Sequence, residues 1–146
     1  MKTVFFMLAI LCIGGLMPIQ GSINAQIGQI LGHPLRGTLM NFVTGGVLLV
    51  VLLCFWVGFP TGEDMMQAPW YLYSGGLMGV LFVTAMLTLI PELGALRVVA
   101  AVVVGQLIVS TIIDHFGLLK VPVHSLSVTR VAGIGCLVIG LYLVNR

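Results

Sequence analysis

Charge is what this chain has least of. Six Lys and Arg and four Asp and Glu are spread over 146 residues, or 7%, where a soluble domain of this length carries about 25%. A water-facing surface cannot be assembled from so few, so lipid must replace water around most of the chain. No basic run and no interleaving of basic and aromatic residues points to nucleic acid. The three cysteines, Cys12, Cys54 and Cys136, lie inside apolar runs without metal-ligand spacing, and three cannot all pair. Inert, buried thiols are the expectation. His33, His115 and His124 fall in connecting segments, too scattered for a metal site, so no metal or cofactor is expected. There is no Ser/His/Asp order, no H-E-x-x-H, no pair of intramembrane aspartates and no glycine-rich phosphate loop, which argues against an enzyme.

Apolar residues are abundant: 60% of the chain, with a mean hydropathy of +1.21. They fall into five long runs without the alternation of a barrel strand. The chain therefore reads as an all-α membrane protein, a single transmembrane domain over 1–146 with spans at about 3–31, 35–59, 69–90, 94–114 and 125–145. The loops between are too short for a soluble domain, so backbone hydrogen bonds must close within helices. The purely apolar part of the first run, Val4 to Ile19, falls short of the roughly 20 residues a crossing needs, so that helix continues through Gln20 and Asn24 towards Leu31. Gly32 and Pro34 close it. Pro18 has no N–H and crowds the Gly14 carbonyl, which predicts a kink at Gly14–Gly15. A competing reading takes Lys2 and the following apolar run as a signal peptide, with small residues at Ser22–Ala25. Pro60–Asp64 reads as a polar turn and Pro91–Gly94 as a tight reversal. The fifth run has the shortest apolar core, with Arg130 snorkelling at one end and Arg146 at the other.

Five spans put the termini on opposite sides. One side then collects Lys2, Lys120 and Arg130, the other Arg36, Arg97 and Arg146. Three against three gives almost no positive-inside preference. Either a marginal bias decides, or the chain inserts both ways round. In the second case two copies can pair antiparallel and generate the inverted symmetry common in secondary transporters.

Polar residues inside the spans carry whatever function is visible. Gln20 and Asn24 share a helical face, as do Asn41 and Thr44, Thr84 and Thr88 with Glu92 beyond, and Gln106, Ser110 and Asp114. An unpaired amide in hydrocarbon costs on the order of 4–8 kcal/mol, so these faces seek one another or a wet cavity. Convergence of spans 1 to 4 on a central site is expected, with Gln20, Asn24, Asn41, Thr84, Gln106 and Ser110 as its lining. The alternative is interhelical glue, worth about 0.6 kcal/mol per bond, and the two threonines of span 3 are expected to bond back to their own helix. Uncharged amides suit a neutral or zwitterionic solute. No carboxylate lies mid-span, which argues against a central proton exchanger. Glu92 and Asp114 stand near helix ends, as ordinary end charges or as coupling or gating groups. Gly75 and Gly79 fit close packing within the chain. Gly133 and Gly140, seven apart on one face, fit either such packing or a dimer contact.

Several of these segments resemble a known family. Gln20-Gly21-Ser22-Ile23-Asn24-Ala25 followed by Leu31-Gly32-His33-Pro34 is similar to the first-helix pattern of the half-size YdcZ-type exporters of the drug/metabolite transporter superfamily. Gly105-Gln106 with Asp114-His115-Phe116-Gly117 resembles that family's fourth helix, and Arg130-Val131-Ala132-Gly133-Ile134-Gly135, with Gly140 beyond, its fifth. The resemblance implies a five-helix unit equivalent to half of a ten-helix inverted-repeat transporter. It also implies a bacterial inner (cytoplasmic) membrane and a small-molecule substrate moved by alternating access. The missing half would come from a second copy in an antiparallel homodimer, or from a paired homologue in a heterodimer. Unlike the related small multidrug exporters, this chain has no Glu in its first helix, which puts proton-coupled cation export in doubt. A non-transporting subunit packed against a larger membrane partner, or a passive channel, are the competing readings.

Overall fold

The structure, a computed structural model, describes residues 2–146. It is helical, with no strand among the described residues. It forms two compact units, one reaching to Glu92 and one running from Leu93.

In the first unit, α1 (Lys2–Gly14) and α2 (Leu16–Ile30) form one rod with a break at Gly15. The break lies where Pro18 withholds an N–H from the Gly14 carbonyl. The Gly15 N–H is shared between the Leu11 and Cys12 carbonyls at 3.2 and 3.1 Å. Gly32 turns the chain at φ +75°. His33 then caps α3 (Pro34–Leu52): its Nδ1 accepts from the Leu35 N–H at 3.1 Å, and Pro34, which has no N–H to satisfy, takes the first helical position. Arg36 Nη1 reaches back to the Leu31 carbonyl at 2.8 Å, a cation at the negative end of α2.

The span of α3 is completed by a π-helical turn, Leu53–Val57, closed by Gly58 N–H on the Leu53 carbonyl at 2.7 Å. The Pro60–Asp64 segment is more than a turn. Thr61 and Asp64 form a reciprocal capping box that starts a short helix, α4 (Gly62–Gln67). The Thr61 hydroxyl, then its N–H, hold the Asp64 carboxyl below the ordinary aspartate value. A 3₁₀ turn (Trp70–Ser74), tied down by Tyr73 Oη on the Met65 carbonyl at 2.7 Å, leads into α5 (Gly75–Leu93). This helix runs through Pro91, and the reversal falls at Gly94, φ +84°. Only the last turn loses a bond to the proline ring, which is why it does not end the helix there.

The second unit pairs α6 (Ala95–Phe116) with α7 (Val128–Val144). Gly117 at φ +60° ends α6, and the following turn puts Leu119 and Lys120 at φ 58° and 62°, a left-handed conformation that costs side-chain-bearing residues. Ser127 caps α7 by accepting the Arg130 N–H at 3.2 Å.

Among the described residues, four helical segments are long and apolar enough to cross a membrane: Lys2–Ile30, Pro34–Val57, Trp70–Leu93 and Ala95–Phe116. The shorter apolar α7 has 17 residues, about 26 Å at the helical rise. Large apolar side chains face outward along all of them; Leu11 is 73% exposed and Ile30 82%. The cysteines follow suit: all three are exposed on helix surfaces rather than buried, because a lipid-facing surface accepts a thiol as readily as a core does. The chain is an all-α membrane protein.

Candidate functional site

The first unit is organised by a crossing without side chains. A β-carbon on Gly37 would lie 2.8 Å from the Cα and N of Gly28, so α2 and α3 touch backbone to backbone. One turn beyond the crossing on each helix stand Asn24 and Asn41. Their approach is set by the glycines, and Asn24 Nδ2 donates to Asn41 Oδ1 at 2.8 Å. One further turn along α2, Gln20 Nε2 donates to the same oxygen at 3.3 Å. Asn24 is buried, at 7% exposure.

Counted along the helices at 1.5 Å per residue, Asn24 and Asn41 lie about 9–10 Å from the α2–α3 turn and Gln20 about 15 Å, half the roughly 30 Å of a hydrocarbon core. Among the described residues, neither Gln20 Oε1 nor Asn41 Nδ2 has a hydrogen-bond partner, and neither is sealed from the outside. Two acceptors, Gln20 Oε1 and Asn24 Oδ1, and one donor, Asn41 Nδ2, are thus left over inside the span. Gln20 and Asn41 open on a cleft of about 360 Å³ shared with Phe42, Gly45, Gly46 and Leu49.

The third member of this unit, α5, joins through side chains. Ile90 and Met86 cover Gly21, Leu87 covers Gly37, and Phe42 of α3 covers Gly79. The Thr84 hydroxyl bonds the Val80 carbonyl at 2.7 Å and the Thr38 hydroxyl the Pro34 carbonyl at 3.2 Å; the two hydroxyl oxygens lie 2.9 Å apart, and either can donate to the other. Thr88 bonds back to the Thr84 carbonyl at 2.9 Å. Towards the α2–α3 turn the same elements enclose a second cleft, about 340 Å³, lined among others by Gln29, His33, Thr88 and Glu92. Polar groups therefore follow one another from Glu92 and Thr88 through Thr84 and Thr38 to the amide cluster.

In the second unit Gln106 is exposed on α6 and takes no hydrogen bond there. Ser110 and Asp114 line a cleft of about 300 Å³ with Leu107, Thr111, Arg130, Gly133, Ile134 and Leu137. Arg130 Nη1 stands 3.7 Å from Asp114 Oδ2 and donates to the His124 carbonyl at 3.3 Å. A β-carbon on Gly133 or Gly140 would meet nothing within 4 Å.

Of the residues expected to line a site, Gln20, Asn24, Asn41 and Thr84 come together in one unit with Glu92 at its open end. Gln106, Ser110 and Asp114 belong to the other. Three residues were not singled out beforehand: Thr38, and the Gly28–Gly37 pair. Thr38 has Thr84's signal, a hydroxyl four residues from a conspicuous neighbour, but its nearness to Pro34 hid it. Among the described residues no group of His, Cys, Asp and Glu is placed to hold a metal ion.

Apolar helices of membrane-crossing length define a multi-pass membrane protein. The chain belongs to the family described as "Putative inner membrane exporter, YdcZ", whose model matches residues 5–143. It is 32% identical over 141 residues to the inner membrane protein YdcZ of Escherichia coli strain K12, across 95% of this chain and 94% of that protein. No solved structure matches the chain. It is accordingly a multi-pass inner membrane protein and a membrane transporter.

Proposed function

We propose that this chain is a secondary carrier, not an enzyme, that exports a small neutral or zwitterionic polar solute by alternating access, working as an antiparallel pair of copies. The observation that carries the reading is the Gln20–Asn24–Asn41 cluster, held inside a membrane-crossing segment with two acceptors and a donor still free. The cluster has no charge, so it suits a solute without net charge. The even distribution of Lys and Arg favours insertion both ways round, and the open faces at Gly133 and Gly140 suit the contact between copies. Glu92, at the mouth of its cleft, fits a gating or coupling role. The export direction follows the family's description alone.

The test is counterflow in reconstituted vesicles, using radiolabelled polyols, betaines and amino acids as probes. Saturable exchange by the wild type, abolished by Gln20→Ala with Asn24→Ala while the dimer persists, is the expected result. No flux of any probe from correctly folded protein would favour the competing reading, a non-transporting subunit. That reading draws on α1, none of whose residues is buried. A C-terminal tag reachable from both sides of the membrane is expected for the antiparallel pair, and reachability from one side alone rules that pairing out.

A further inference from the structure

We infer that the cleft between α6 and α7 is a second ligand site, built for the head group of a zwitterion such as an amino acid with an apolar side chain. The argument starts from where the two charges stand. Asp114 lies in the last turns of α6, where the exposed carbonyls already make the helix end negative. Arg130 lies in the first turn of α7, where the N–H groups make it positive. Each charge opposes the dipole of its own helix, unlike Arg36, which complements the end of α2. Helix stability therefore accounts for neither.

Nor does the pair account fully for itself. At 3.7 Å it is well beyond the roughly 2.7–2.9 Å of a charge-assisted hydrogen bond. Their side chains are 41% and 32% exposed. Among the described residues Arg130 has one other acceptor, the His124 carbonyl. Its Nε and Nη2 are unengaged, and so is Asp114 Oδ1. The backbone around them is held in place: His124 N–H bonds the Asp114 carbonyl at 2.9 Å and Leu126 N–H bonds His115 Nδ1 at 3.3 Å. Two left-handed residues, Leu119 and Lys120, lie in the same connection, and strain of this kind gathers at working sites.

The result is a cleft of about 300 Å³, at the lower end of the range of about 300–1,000 Å³ for ligand pockets. One wall is doubly negative, from Asp114 and the α6 end. The other is doubly positive, from Arg130 and the α7 start. Ser110 and Thr111 add hydroxyls, and Leu107, Ile134 and Leu137 give an apolar floor. A lone anion would take Arg130 and leave Asp114 without its partner, and a lone cation would do the reverse. A zwitterion replaces both halves of the pair at once, its ammonium on Asp114 and its carboxylate on Arg130. The ligand's identity as cargo rests on the carrier reading above, whereas the binding does not.

The experiment is calorimetric titration of the full chain in detergent with L-leucine, N-acetyl-L-leucine and L-leucinamide, which share a side chain and differ in head-group charge. L-leucine should bind about tenfold or more tightly than either analogue, as expected for two charged hydrogen bonds rather than one. Arg130→Gln should move the preference to leucinamide and Asp114→Asn to the N-acetyl compound. A merely structural latch would not produce that crossover. Equal binding of all three probes by the wild type, no binding of any, or loss of binding in both variants without a change of preference overturns the inference. The wild-type series decides even if a variant does not fold. Binding with the expected preference but no counterflow would defeat the carrier and leave this site standing; counterflow without the preference would do the opposite.

Discussion

Substituting alanine for Gly37 puts a methyl carbon where α2 and α3 already meet. The new atom would lie 2.8 Å from the Cα and N of Gly28 and 2.6 Å from Leu87 Cδ2. Leu87 can turn its side chain away, but the backbone of Gly28 cannot. Ordinary contacts begin near 3.4 Å, so the helices must part by about 0.6 Å, the difference between 3.4 and 2.8. Overpacking of this kind costs about 1–3 kcal/mol. The same movement stretches the Asn24–Asn41 bond from 2.8 Å to about 3.4 Å, at the edge of a hydrogen bond, and removes up to about 1.7 kcal/mol more. Exchanging glycine for alanine in a helix returns about 0.8–1 kcal/mol, so the net loss lies between about zero and 4 kcal/mol, against a gain at a site with free space. Unfolding in mixed micelles by titration with SDS measures it. Gly76→Ala, where a β-carbon meets nothing within 4 Å, is the control and should be neutral or stabilising. Adding Leu87→Ala to Gly37→Ala should not restore stability, since the obstacle is main chain. If Gly37→Ala is as stable as Gly76→Ala, the backbone contact does not exist and the placement of the amide cluster loses its cause.

A double-mutant cycle of Thr38→Val and Thr84→Val should give a coupling of about 0.6 kcal/mol; zero coupling would remove the 2.9 Å bond between α3 and α5. The capping box on α4 should respond to acid alone. Asp64 titrates below its unfolded value of about 3.9, so its contribution is complete above that pH and fades as pH falls through the lowered value. The Thr61 amide resonance should follow, and a midpoint at or above the unfolded value would contradict the cap. Gly117→Ala should destabilise by about 1–2 kcal/mol from its left-handed φ, while Lys120→Gly, which relieves the same strain, should not destabilise; equal losses in thermal melts would refute that geometry.

Much of the fold was legible because hydrocarbon imposes simple rules. Long apolar runs mark the crossings, Pro18 marks the break in the first rod, and Gly32 with Pro34 marks its end. What escaped was local. The Thr61–Asp64 spacing is a capping box, but read as punctuation between spans it looks like a turn. Pro91 reads as a stop, though a proline this close to a helix end forfeits little. For the candidate site, the i, i+4 spacing of Gln20 and Asn24 puts both on one face of α2, while the partner of that face depends on how closely α2 approaches α3. That distance is set by Gly28 and Gly37, and small residues are too frequent here, 19 glycines in all, for any two to stand out. Arg130 looked like a side chain stretching to water. Its neighbour Asp114 is sixteen positions earlier, and only the reversal between α6 and α7 brings them together.

The π-helical turn at Leu53–Val57 has a consequence for how this family of rods tolerates change. A turn of that kind carries one residue more than an α-turn, so α3 holds a spare position near its end. Deleting one residue there would leave an ordinary helix, shortened by about 1.5 Å, with Trp56 on nearly its old bearing, because the wider turn is what absorbs the extra residue. The span thus carries slack: its length can be trimmed by a single codon, roughly 20 Å along the helix from Asn41.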